Sequence, residues 1–348
     1  MGTTVGVIGV FHPHGPGHLA TLAACENVDR ILLWDPDEGE ARRVAEGLHK
    51  GEFAAGGQEG LLADAGVPII VNLQRDCDAA ALTIAALRAG KWVYGDKPGA
   101  HNAAQMAEVA AVSDATGNHF CPCYANRLMS TAADVSRLLQ SGAIGDVWSF
   151  NAQWMTSQVS LRGAQNWLFH RQFSAGGILP WLACHWIDLL RFALDSEVTE
   201  VMAMVATQCD EDIDVEDTAS VIMRFDQGAI GTVRAGYALN PFPQYETTDL
   251  YLQFEGSRGG LTWYVRGPDA GYLLRSSHPD HAGVQRVEAP PPAAGTGQGY
   301  SADFWAAFLA AWREHRPPPA TAHDALAVLR VIEAAYQSSA TGVRVSVT

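Results

Sequence analysis

The sequence is short of several features, and each absence narrows the possible functions. No uninterrupted apolar run is long enough to cross a bilayer, and no basic region or signal core precedes Val5–Gly9. We therefore expect a cytoplasmic protein. Basic residues are few, since 23 Lys and Arg stand against 38 Asp and Glu, for a formal net charge of −15. This balance argues against nucleic acid and membranes as partners and is compatible with small ligands.

Cysteine is also sparse. The six cysteines form no dense, regularly spaced framework, so we expect them to be reduced. What is present is an ordinary globular composition, 48% apolar and 18% charged, over 348 residues. That length is sufficient for two domains, each with its own core.

Strands alternate with helices in the first part of the chain. This order predicts an α/β domain with a doubly wound parallel sheet, which we place at residues 1–122. The predicted strands are Thr4–Val10, Ile31–Trp34, Val67–Leu73, Trp92–Tyr94 and His119–Cys123, and the predicted helices include Ala79–Ala89 and Ala103–Thr116.

Longer alternating strands dominate the rest of the chain. They predict a second, α+β domain at residues 123–348 with a large, mostly antiparallel open sheet. Its open face is a candidate interface for a homodimer or homotetramer. The predicted strands are Val147–Thr156, Val198–Gln208, Thr218–Phe225, Ala229–Tyr237, Thr248–Glu255 and Leu261–Val265, with a hairpin turn at Asp226–Gly228.

Three helices and a loop complete this second prediction. The helix at Thr131–Leu139 begins with a capping box formed by Thr131 and Asp134. A loop is expected at Pro290–Gly299, before helices at Ser301–Glu314 and Thr321–Ser339. Apolar side chains at helical spacing on the first of these last helices are predicted to be core, namely Phe304, Phe308 and Trp312.

The first strand leads into a glycine-containing loop. Glycines let the backbone approach a pyrophosphate, and the N–H groups at the start of the following helix favour its charge. The loop is longer than the usual Gly-x-Gly-x-x-Gly fingerprint and has Phe11 where the second glycine would stand. The predicted cofactor-binding residues here are Gly9, Phe11, His12, Gly15 and Gly17.

Asp35 ends the second predicted strand, where a carboxylate can accept hydrogen bonds from the ribose hydroxyls of a dinucleotide. A 2′-phosphate would meet like charge there, although Arg42 or Arg43 could offset it, so NAD is favoured over NADP. The alternative is that Asp35-Pro36-Asp37 is a plain turn with a helix cap.

Lys97 follows the buried strand Trp92–Tyr94 in the sequence Asp96-Lys97-Pro98. Ligands of open α/β sheets bind outside the carboxyl ends of the strands, so Lys97 is expected at the rim of a cleft, held in an extended turn by Pro98. A solvated loop lysine is the alternative.

His185 is the second candidate for chemistry. It lies on an apolar helix opened by Gly176 and Gly177, and either Asp188, three residues on, or a neighbouring carbonyl is in reach to orient its imidazole. The alternative is a core histidine with its hydrogen bonds satisfied.

Taken together, these motifs resemble the Gfo/Idh/MocA family, the glucose-fructose oxidoreductase and inositol dehydrogenase type, over nearly the whole chain. The resemblance implies a Rossmann domain followed by an open-sheet domain, with NAD(P) as cofactor and a sugar or polyol as substrate. The matching segments are Val5–Gly9, Asp35–Asp37, Ala89–Val93, Asp96–Pro98, Gly142–Gly145, Gly176–Leu179, His185–Asp188, Glu216–Thr218 and Gly228–Gly231.

The resemblance also implies roles. Lys97 hydrogen-bonds the reacting hydroxyl and stabilises the developing alkoxide, and His185 is the acid/base. Several positions depart from the family pattern: Asp96 stands in place of a glutamate, the glycine loop is altered, and two further changes concern the substrate. Trp181 replaces an aspartate four residues before the histidine, which predicts an atypical substrate such as a glycoside with an apolar or aromatic part. A Thr-Pro turn is replaced by Gln74-Arg75-Asp76, where Arg75 either binds a substrate anion or pairs with a nearby aspartate.

These arguments add further candidate residues. Cofactor contacts are also predicted for Gln74, Arg75, Asp96 and Lys97. Substrate contacts are predicted for Lys97, Tyr124, Asn126, Trp154, Trp167, His170, Trp181 and His185. Metal-ligand residue types occur at His12, His14 and His18 and at His119, Cys121 and Cys123. Because the first set lies in the cofactor loop and the second on a buried strand, we predict no bound metal.

Three functions are compatible with this sequence. The leading hypothesis is an NAD-dependent oxidoreductase that acts on a secondary hydroxyl or ketone of a sugar, glycoside or cyclitol. The second is an NAD-using glycosidase or lyase that works through transient sugar oxidation and elimination. The third is a non-catalytic sensor of dinucleotide and sugar.

Overall fold

The computed structural model describes residues 2–237, 248–265, 269–290 and 299–348. The chain divides into two compact units, one made of Met1–Ala125 and Pro292–Ala327 and the other of Asn126–Pro291 and Val328–Thr348. The predicted boundary after residue 122 is close to the observed one. Assigning everything from 123 to 348 to the second domain was wrong, because the chain returns to the first unit near its end.

The helices and strands of the described residues are as follows. The helices are α1 Gly15–Ala24, α2 Glu38–Gly47, α3 Gly57–Ala63, α4 Asp76–Arg88, α5 Ala103–Thr116, α6 Ala132–Gln140, α7 Gln158–Arg162, α8 Cys184–Leu194, α9 Gly299–Glu314 and α10 Ala322–Thr341. The strands are β1 Thr3–Ile8, β2 Val28–Trp34, β3 Gly51–Phe53, β4 Ile69–Asn72, β5 Trp92–Gly95, β6 Phe120–Pro122, β7 Val147–Thr156, β8 Val198–Ala206, β9 Thr218–Phe225, β10 Ile230–Gly236, β11 Thr248–Gly256, β12 Gly259–Tyr264, β13 Gly271–Ser276, β14 Gly283–Glu288 and β15 Val345–Ser346.

The first unit contains the predicted doubly wound sheet. Its described strands run in the order β3-β2-β1-β4-β5-β6, and every neighbouring pair is parallel. The strand order reverses between β1 and β4, and the carboxyl ends at such a switch point are where open α/β sheets bind ligands. The fold therefore brings the glycine loop after β1 and the turn after β4 side by side.

Helix α9 completes the core of this unit. Phe304 and Phe308 are fully buried, as predicted, whereas Trp312 is only partly covered. The ring of Phe308 lies 5.3 Å from that of Tyr94 and 6.1 Å from that of Trp92, measured between centroids. The apolar strand β5 is thus covered by a helix that lies some 200 residues further along the chain.

The second unit contains the predicted open sheet. Its described strands run in the order β14-β13-β12-β11-β7-β10-β9-β8-β15, antiparallel except for the β7 and β10 pair. The Asp226–Gly228 hairpin turn is present, closed by a hydrogen bond from the Gly228 N–H to the Phe225 carbonyl. Strands β13 and β14 were not predicted. The loop predicted at Pro290–Gly299 lies mostly outside the described residues.

One local prediction in this unit was wrong. Thr131 precedes α6 but makes no capping hydrogen bond from its side chain. Its Oγ1 instead accepts the indole N–H of Trp263 on β12 at 2.8 Å. The buried indole needs an acceptor, so this partner from β12 displaces the local capping box.

Two global expectations can be compared with the structure. All six cysteines lie in the described residues and are free thiols. Among the helices that the structure describes, none is both long and apolar enough to cross a bilayer.

Candidate functional site

The site of the first unit begins at the carboxyl ends of β1 and β2. Gly9 has φ +105°, and a Cβ there would lie 2.5 Å from the carbonyl oxygen of Leu73, so only glycine fits. The carboxylate of Asp35 accepts the Val10 N–H at 3.0 Å and the Asp37 N–H at 2.9 Å. Asp35 therefore anchors the loop after β1, and Asp37 caps α2 by accepting the Glu40 N–H.

The next part of the site is a group of side chains that we call the histidine cluster, made of His12, His14, His18 and Asp96. The Oδ2 atom of Asp96 lies 2.9 Å from Nδ1 of His14, 2.8 Å from Nε2 of His18 and 3.6 Å from Nδ1 of His12. The other oxygen, Oδ1, accepts the Lys97 N–H at 2.8 Å. The predicted cofactor loop is thus joined through imidazoles to the residue that precedes Lys97.

Burial and hydrogen bonding set the charges in the histidine cluster. Burial lowers the pKa of His12 to about 3 and also lowers the pKa of His14, in both cases against the opposing effect of Asp96. Burial alone would raise the pKa of Asp96, but His14 and His12 hold it well below its ordinary value. At neutral pH the cluster therefore consists of an ionised carboxylate with neutral imidazoles at His12 and His14.

Lys97 itself is 1% exposed, which excludes the solvated loop lysine considered above. The Lys97–Pro98 peptide bond is cis. Phe11, in contrast, is 50% exposed at the surface of the first unit. Gly15 and Gly17 lie in the first turn of α1.

The turn after β4 adjoins the same end of the sheet. Asn72 holds this turn together: its side-chain oxygen accepts the Gln74 N–H at 3.1 Å, and its NH₂ group donates to the Ala79 carbonyl at 2.8 Å. Arg75 has an extended backbone and immediately precedes α4, and Asp76 is buried in the first turn of that helix. Gln74 and His12 line one small cavity, together with Asn72, Asp76, Gly95 and Asp96.

The site of the second unit is built on a pair of glycines and a buried carboxylate. A Cβ on Gly177 would lie 1.8 Å from the Glu216 carbonyl oxygen, and one on Gly176 would lie 2.0 Å from the Tyr336 hydroxyl. The Glu216 side chain accepts the N–H groups of Gly177 and Leu179 at 2.9 and 3.0 Å and the Tyr336 hydroxyl at 2.7 Å. Close packing therefore requires both glycines.

This arrangement positions the helix that carries His185. Residues Leu179–Ala183 form a π-helical turn that continues directly into α8, a local geometry often found at functional sites. The half-buried imidazole of His185 stacks on the Trp154 ring, with 5.6 Å between centroids and 26° between planes. The next residue, Trp186, donates its indole N–H to the Gln153 carbonyl at 2.8 Å.

Asp188 has a partner that was not predicted. Both of its oxygens accept from the Arg127 guanidinium, at 2.9 and 2.6 Å, in a pair that is almost completely buried. Bidentate pairing with a guanidinium satisfies this carboxylate more fully than one imidazole N–H would. This buried ion pair fixes α8 to the segment after β6, and the orientation of His185 by Asp188 or a neighbouring carbonyl stays a prediction.

The remaining predicted substrate residues are placed as follows. Tyr124 and Asn126 are buried after β6. Trp167 is buried in a short 3₁₀ turn, and His170 follows that turn, its N–H donating to the Trp167 carbonyl. Trp181 is 3% exposed, with its indole N–H directed to the Gln158 amide oxygen at 3.5 Å and the Arg162 guanidinium over its ring.

Sequence reasoning missed two groups that shape the second site. Glu216 was noted only as part of a matching segment, and Tyr336 was not considered. No local pattern links either residue to the glycine pair, since 39 positions separate Glu216 from Gly177 and 120 separate it from Tyr336.

Comparison with protein families finds a match over part of the chain. Residues 132–262, which include the glycine pair and α8, match the family model described as the GFO/IDH/MocA C-terminal domain. Over this part of the chain the protein is similar to the Gfo/Idh/MocA family. The match confirms, for these residues, the resemblance inferred from the motifs.

Two named proteins are similar to parts of this chain. Levoglucosan dehydrogenase from Pseudarthrobacter phenanthrenivorans is 25% identical over 237 residues, covering 61% of this chain and 59% of that protein. Inositol 2-dehydrogenase 1 from Saccharopolyspora erythraea is 32% identical over 148 residues, covering 42% of this chain and 44% of that protein. The chain therefore spans less than two thirds of the length of either relative in these matches.

A solved structure agrees over the full length. Levoglucosan dehydrogenase in complex with NADH and levoglucosan has a TM-score of 0.85 to this protein at 20% identity, covering 100% of both chains. This likeness establishes the fold, including the parallel sheet followed by the open sheet.

Proposed function

We propose that this protein is an NAD-dependent oxidoreductase that acts on a secondary hydroxyl, or the matching ketone, of a sugar, glycoside or cyclitol. Lys97 and His185 are its catalytic pair. The observation that carries the proposal is Lys97: a buried lysine at the carboxyl end of β5, in a sheet whose strand order reverses at β1 and β4. Two relatives named as sugar and cyclitol dehydrogenases support the substrate class.

The residues of the first unit fit a dinucleotide. Gly9 keeps the backbone at the switch point free of a side chain. The Gly17 N–H in the first turn of α1 is the donor proposed for a pyrophosphate, because the Gly15 and His18 N–H groups donate to carbonyls and Pro16 has none. Asp35 is 7% exposed, and each of its oxygens has a further lone pair for a ribose hydroxyl. The same negative charge opposes a 2′-phosphate, which favours NAD over NADP. When bound, NAD supplies the hydride acceptor for oxidation of an alcohol carbon.

The protein's own contribution is to control the proton and the developing charge. The Lys97 ammonium donates a hydrogen bond to the reacting hydroxyl oxygen and stabilises negative charge on it. His185 accepts the hydroxyl proton, so that the C–O bond becomes a carbonyl as the hydride leaves the carbon. Stacking on Trp154 limits rotation of the imidazole and keeps it in position.

An activity assay tests this proposal. The protein is mixed with NAD and a panel containing levoglucosan, inositols and aryl glycosides, and nicotinamide absorbance is followed. We expect reduction of NAD with at least one polyol, and a loss of kcat of about 10²-fold or more in both Lys97→Met and His185→Asn. Matched controls are Lys50→Met, which removes a bond to the Cys25 carbonyl, and His323→Asn, which removes a surface pair with Asp114. Full activity in Lys97→Met would refute the assigned role.

A second candidate function uses the same cofactor without net oxidation. Transient oxidation of a sugar hydroxyl to a ketone acidifies a neighbouring C–H and allows a glycosidic substituent to be eliminated. Reduction of the ketone by NADH then returns the cofactor to NAD. Trp181 favours this candidate, because a buried indole stands where the family usually has a substrate-binding aspartate. Release of an aryl group without accumulation of NADH would identify this reaction, and stoichiometric NADH would exclude it.

We also propose that the protein forms a homo-oligomer through the open face of its large sheet. Apolar side chains stand exposed on neighbouring strands of that face, namely Met202, Met204, Ile222 and Ile230, with exposures from 38% to 80%. Met202 is paired directly with Ile222 across β8 and β9, so both side chains point to the same side. An exposed apolar patch of this kind is typical of a protein interface.

A further inference from the structure

Three imidazoles of the histidine cluster approach one carboxylate oxygen, Oδ2 of Asp96. His12 and Asp96 are 3% and 7% exposed, and one donor atom from each of His12, His14 and Asp96 lies within 4.8 Å of the other two. Hydrogen bonds from His14 and His18 already reach Oδ2 of Asp96. The approach of a third imidazole to the same atom therefore needs a separate explanation.

The protonation of His12 makes this contact unfavourable as a hydrogen bond. Nδ1 of His12 accepts the His14 backbone N–H at 3.2 Å, so this nitrogen carries a lone pair and no proton. It faces Oδ2 of Asp96 at 3.6 Å. Since the lone pair is occupied by the His14 N–H, no proton lies between Nδ1 of His12 and Oδ2 of Asp96, and the two electron-rich atoms repel. A cation between them would turn this repulsion into attraction and would take the His12 lone pair from the His14 N–H.

The distances suit a small metal ion. Zn²⁺ binds imidazole nitrogen and carboxylate oxygen at about 2.0 to 2.2 Å, so two ligand atoms in a tetrahedral site are separated by about 3.3 to 3.5 Å. The nitrogens of His12 and His14 lie 3.6 and 2.9 Å from Oδ2 of Asp96, on either side of that separation. A cavity of about 10 Å³, lined in part by His12 and Asp96, adjoins the cluster and has room for about one water molecule.

We propose that His12, His14 and Asp96 bind one divalent transition-metal ion, with Zn²⁺ as the ion to test. The three residues supply two imidazole nitrogens and one carboxylate oxygen, and a water molecule completes the tetrahedron. His18 is a positioning residue, because its Nε2 holds Oδ2 of Asp96 at 2.8 Å. This assignment replaces the expectation from sequence that no metal binds, and it does not rest on the proposed function.

The ion would cross-link two parts of the first unit. His12 and His14 belong to the loop between β1 and α1, whereas Asp96 follows β5, more than 80 residues further on. Binding to the folded state alone stabilises that state. We therefore expect the metal to raise the melting temperature and to fix the loop that carries Gly9.

The test uses untagged full-length protein. We expect about one Zn²⁺ per chain by elemental analysis, a rise in melting temperature with Zn²⁺ that EDTA reverses, and tetrahedral d–d absorption when Co²⁺ replaces Zn²⁺. The double variant His12→Asn/His14→Gln and the single variant Asp96→Asn should each weaken Zn²⁺ binding, measured by calorimetry, by about 100-fold or more.

The control is His323→Gln, which removes a histidine from an exposed pair with Asp114 in the same unit. It should bind Zn²⁺ as the unchanged protein does. Circular dichroism and melting of each metal-free variant establish that it is folded, and a variant that fails is replaced by the single change His14→Gln. Absence of stoichiometric Zn²⁺ binding, or equal binding in the folded ligand variants, would overturn the proposal and leave a hydrogen-bonded cluster.

Discussion

The two units each bury a carboxylate beside a glycine-containing turn, but they satisfy it in different ways. In the first unit, Asp96 receives hydrogen bonds from the side chains of His14 and His18. In the second, Glu216 receives them from the backbone N–H groups of Gly177 and Leu179 and from the Tyr336 hydroxyl. The first carboxylate has imidazole partners that can also bind a ligand, whereas two of the second carboxylate's three partners are backbone N–H groups, which only donate.

This difference separates a site for chemistry from a structural anchor. Backbone N–H groups cannot change protonation or coordinate a cation, so the surroundings of Glu216 serve to fix the start of the helix that carries His185. Imidazoles have lone pairs, and their position relative to Asp96 changes if an ion enters. The comparison predicts that changes around Glu216 affect stability, while changes around Asp96 affect ligand binding.

The largest loss of stability should follow from removing the positive charge beside a third carboxylate, Asp188. Arg127→Met leaves that carboxylate buried without its bidentate partner, and we expect unfolding to become easier by about 3 to 5 kcal/mol in denaturant titrations. The control is Arg30→Met, which breaks an exposed pair with Glu52 and should cost about 1 kcal/mol or less. Equal losses in both variants would show that the buried pair contributes no more to stability than the exposed pair does.

A slightly smaller loss is expected when a glycine beside Glu216 gains a methyl group. Gly177→Ala forces a Cβ to within 1.8 Å of a backbone carbonyl, and overpacking of this kind costs about 3 kcal/mol. Gly60→Ala is the control, because nothing lies within 4 Å of its Cβ and alanine favours the helix. Thermal melts should show a lower transition only for Gly177→Ala, and an unchanged transition there would contradict the observed packing.

Replacing the Glu216 carboxylate itself should lower the free energy of unfolding by a moderate amount that depends on pH. Burial raises the pKa of Glu216 above its ordinary value of 4.5, against the hydrogen bonds from Leu179, Tyr336 and Gly177. Above pH 4.5 the unfolded state loses this proton before the folded state does, so stability falls as pH rises toward the folded pKa.

Glu216→Gln removes this titration and one hydrogen-bond acceptor, at a cost of about 1 to 2 kcal/mol. The advantage of the unchanged protein over Glu216→Gln should therefore be greatest below pH 4.5 and should shrink toward neutral pH. Urea titrations at several pH values measure this difference. An advantage that grows with pH would mean that the folded state prefers the ionised form.

The smallest effect on folding is expected on the open sheet, where assembly rather than stability should change. Met204 is 80% exposed, so Met204→Glu should leave the melting temperature of a single chain nearly unchanged while it shifts the particle mass in light scattering toward the monomer. Val284→Glu, also at an exposed position but on β14 near the other end of the sheet, is the control. A monomeric unchanged protein would refute the proposed interface.

The overall fold could be predicted because its signals are local. Apolar strands alternating with helices predicted the parallel sheet, and period-two patterns predicted most strands of the open sheet. Strands β13 and β14 were missed because both begin with glycine, and β14 is exposed along most of its length. A strand with no buried face has no alternation of apolar and polar residues from which it could be predicted.

The candidate site was only partly predictable. Lys97 and His185 stand out by their motifs, and the structure places the first in a buried position and the second against Trp154. The pairing of Asp188 with Arg127 spans 61 positions, and that of His18 with Asp96 spans 78. Such partners are determined by tertiary packing, so they cannot be predicted from the sequence around each residue.

The return of the chain to its first unit bears on how the protein is made. Trp92 and Tyr94 leave the ribosome early, but the rings of α9 that cover them are synthesised only after strands β7 to β14 of the open sheet. Until then the nascent parallel sheet has an uncovered aromatic surface, which is a site for aggregation or for a chaperone. The unit whose synthesis begins first is therefore completed only after most of the second unit has been made.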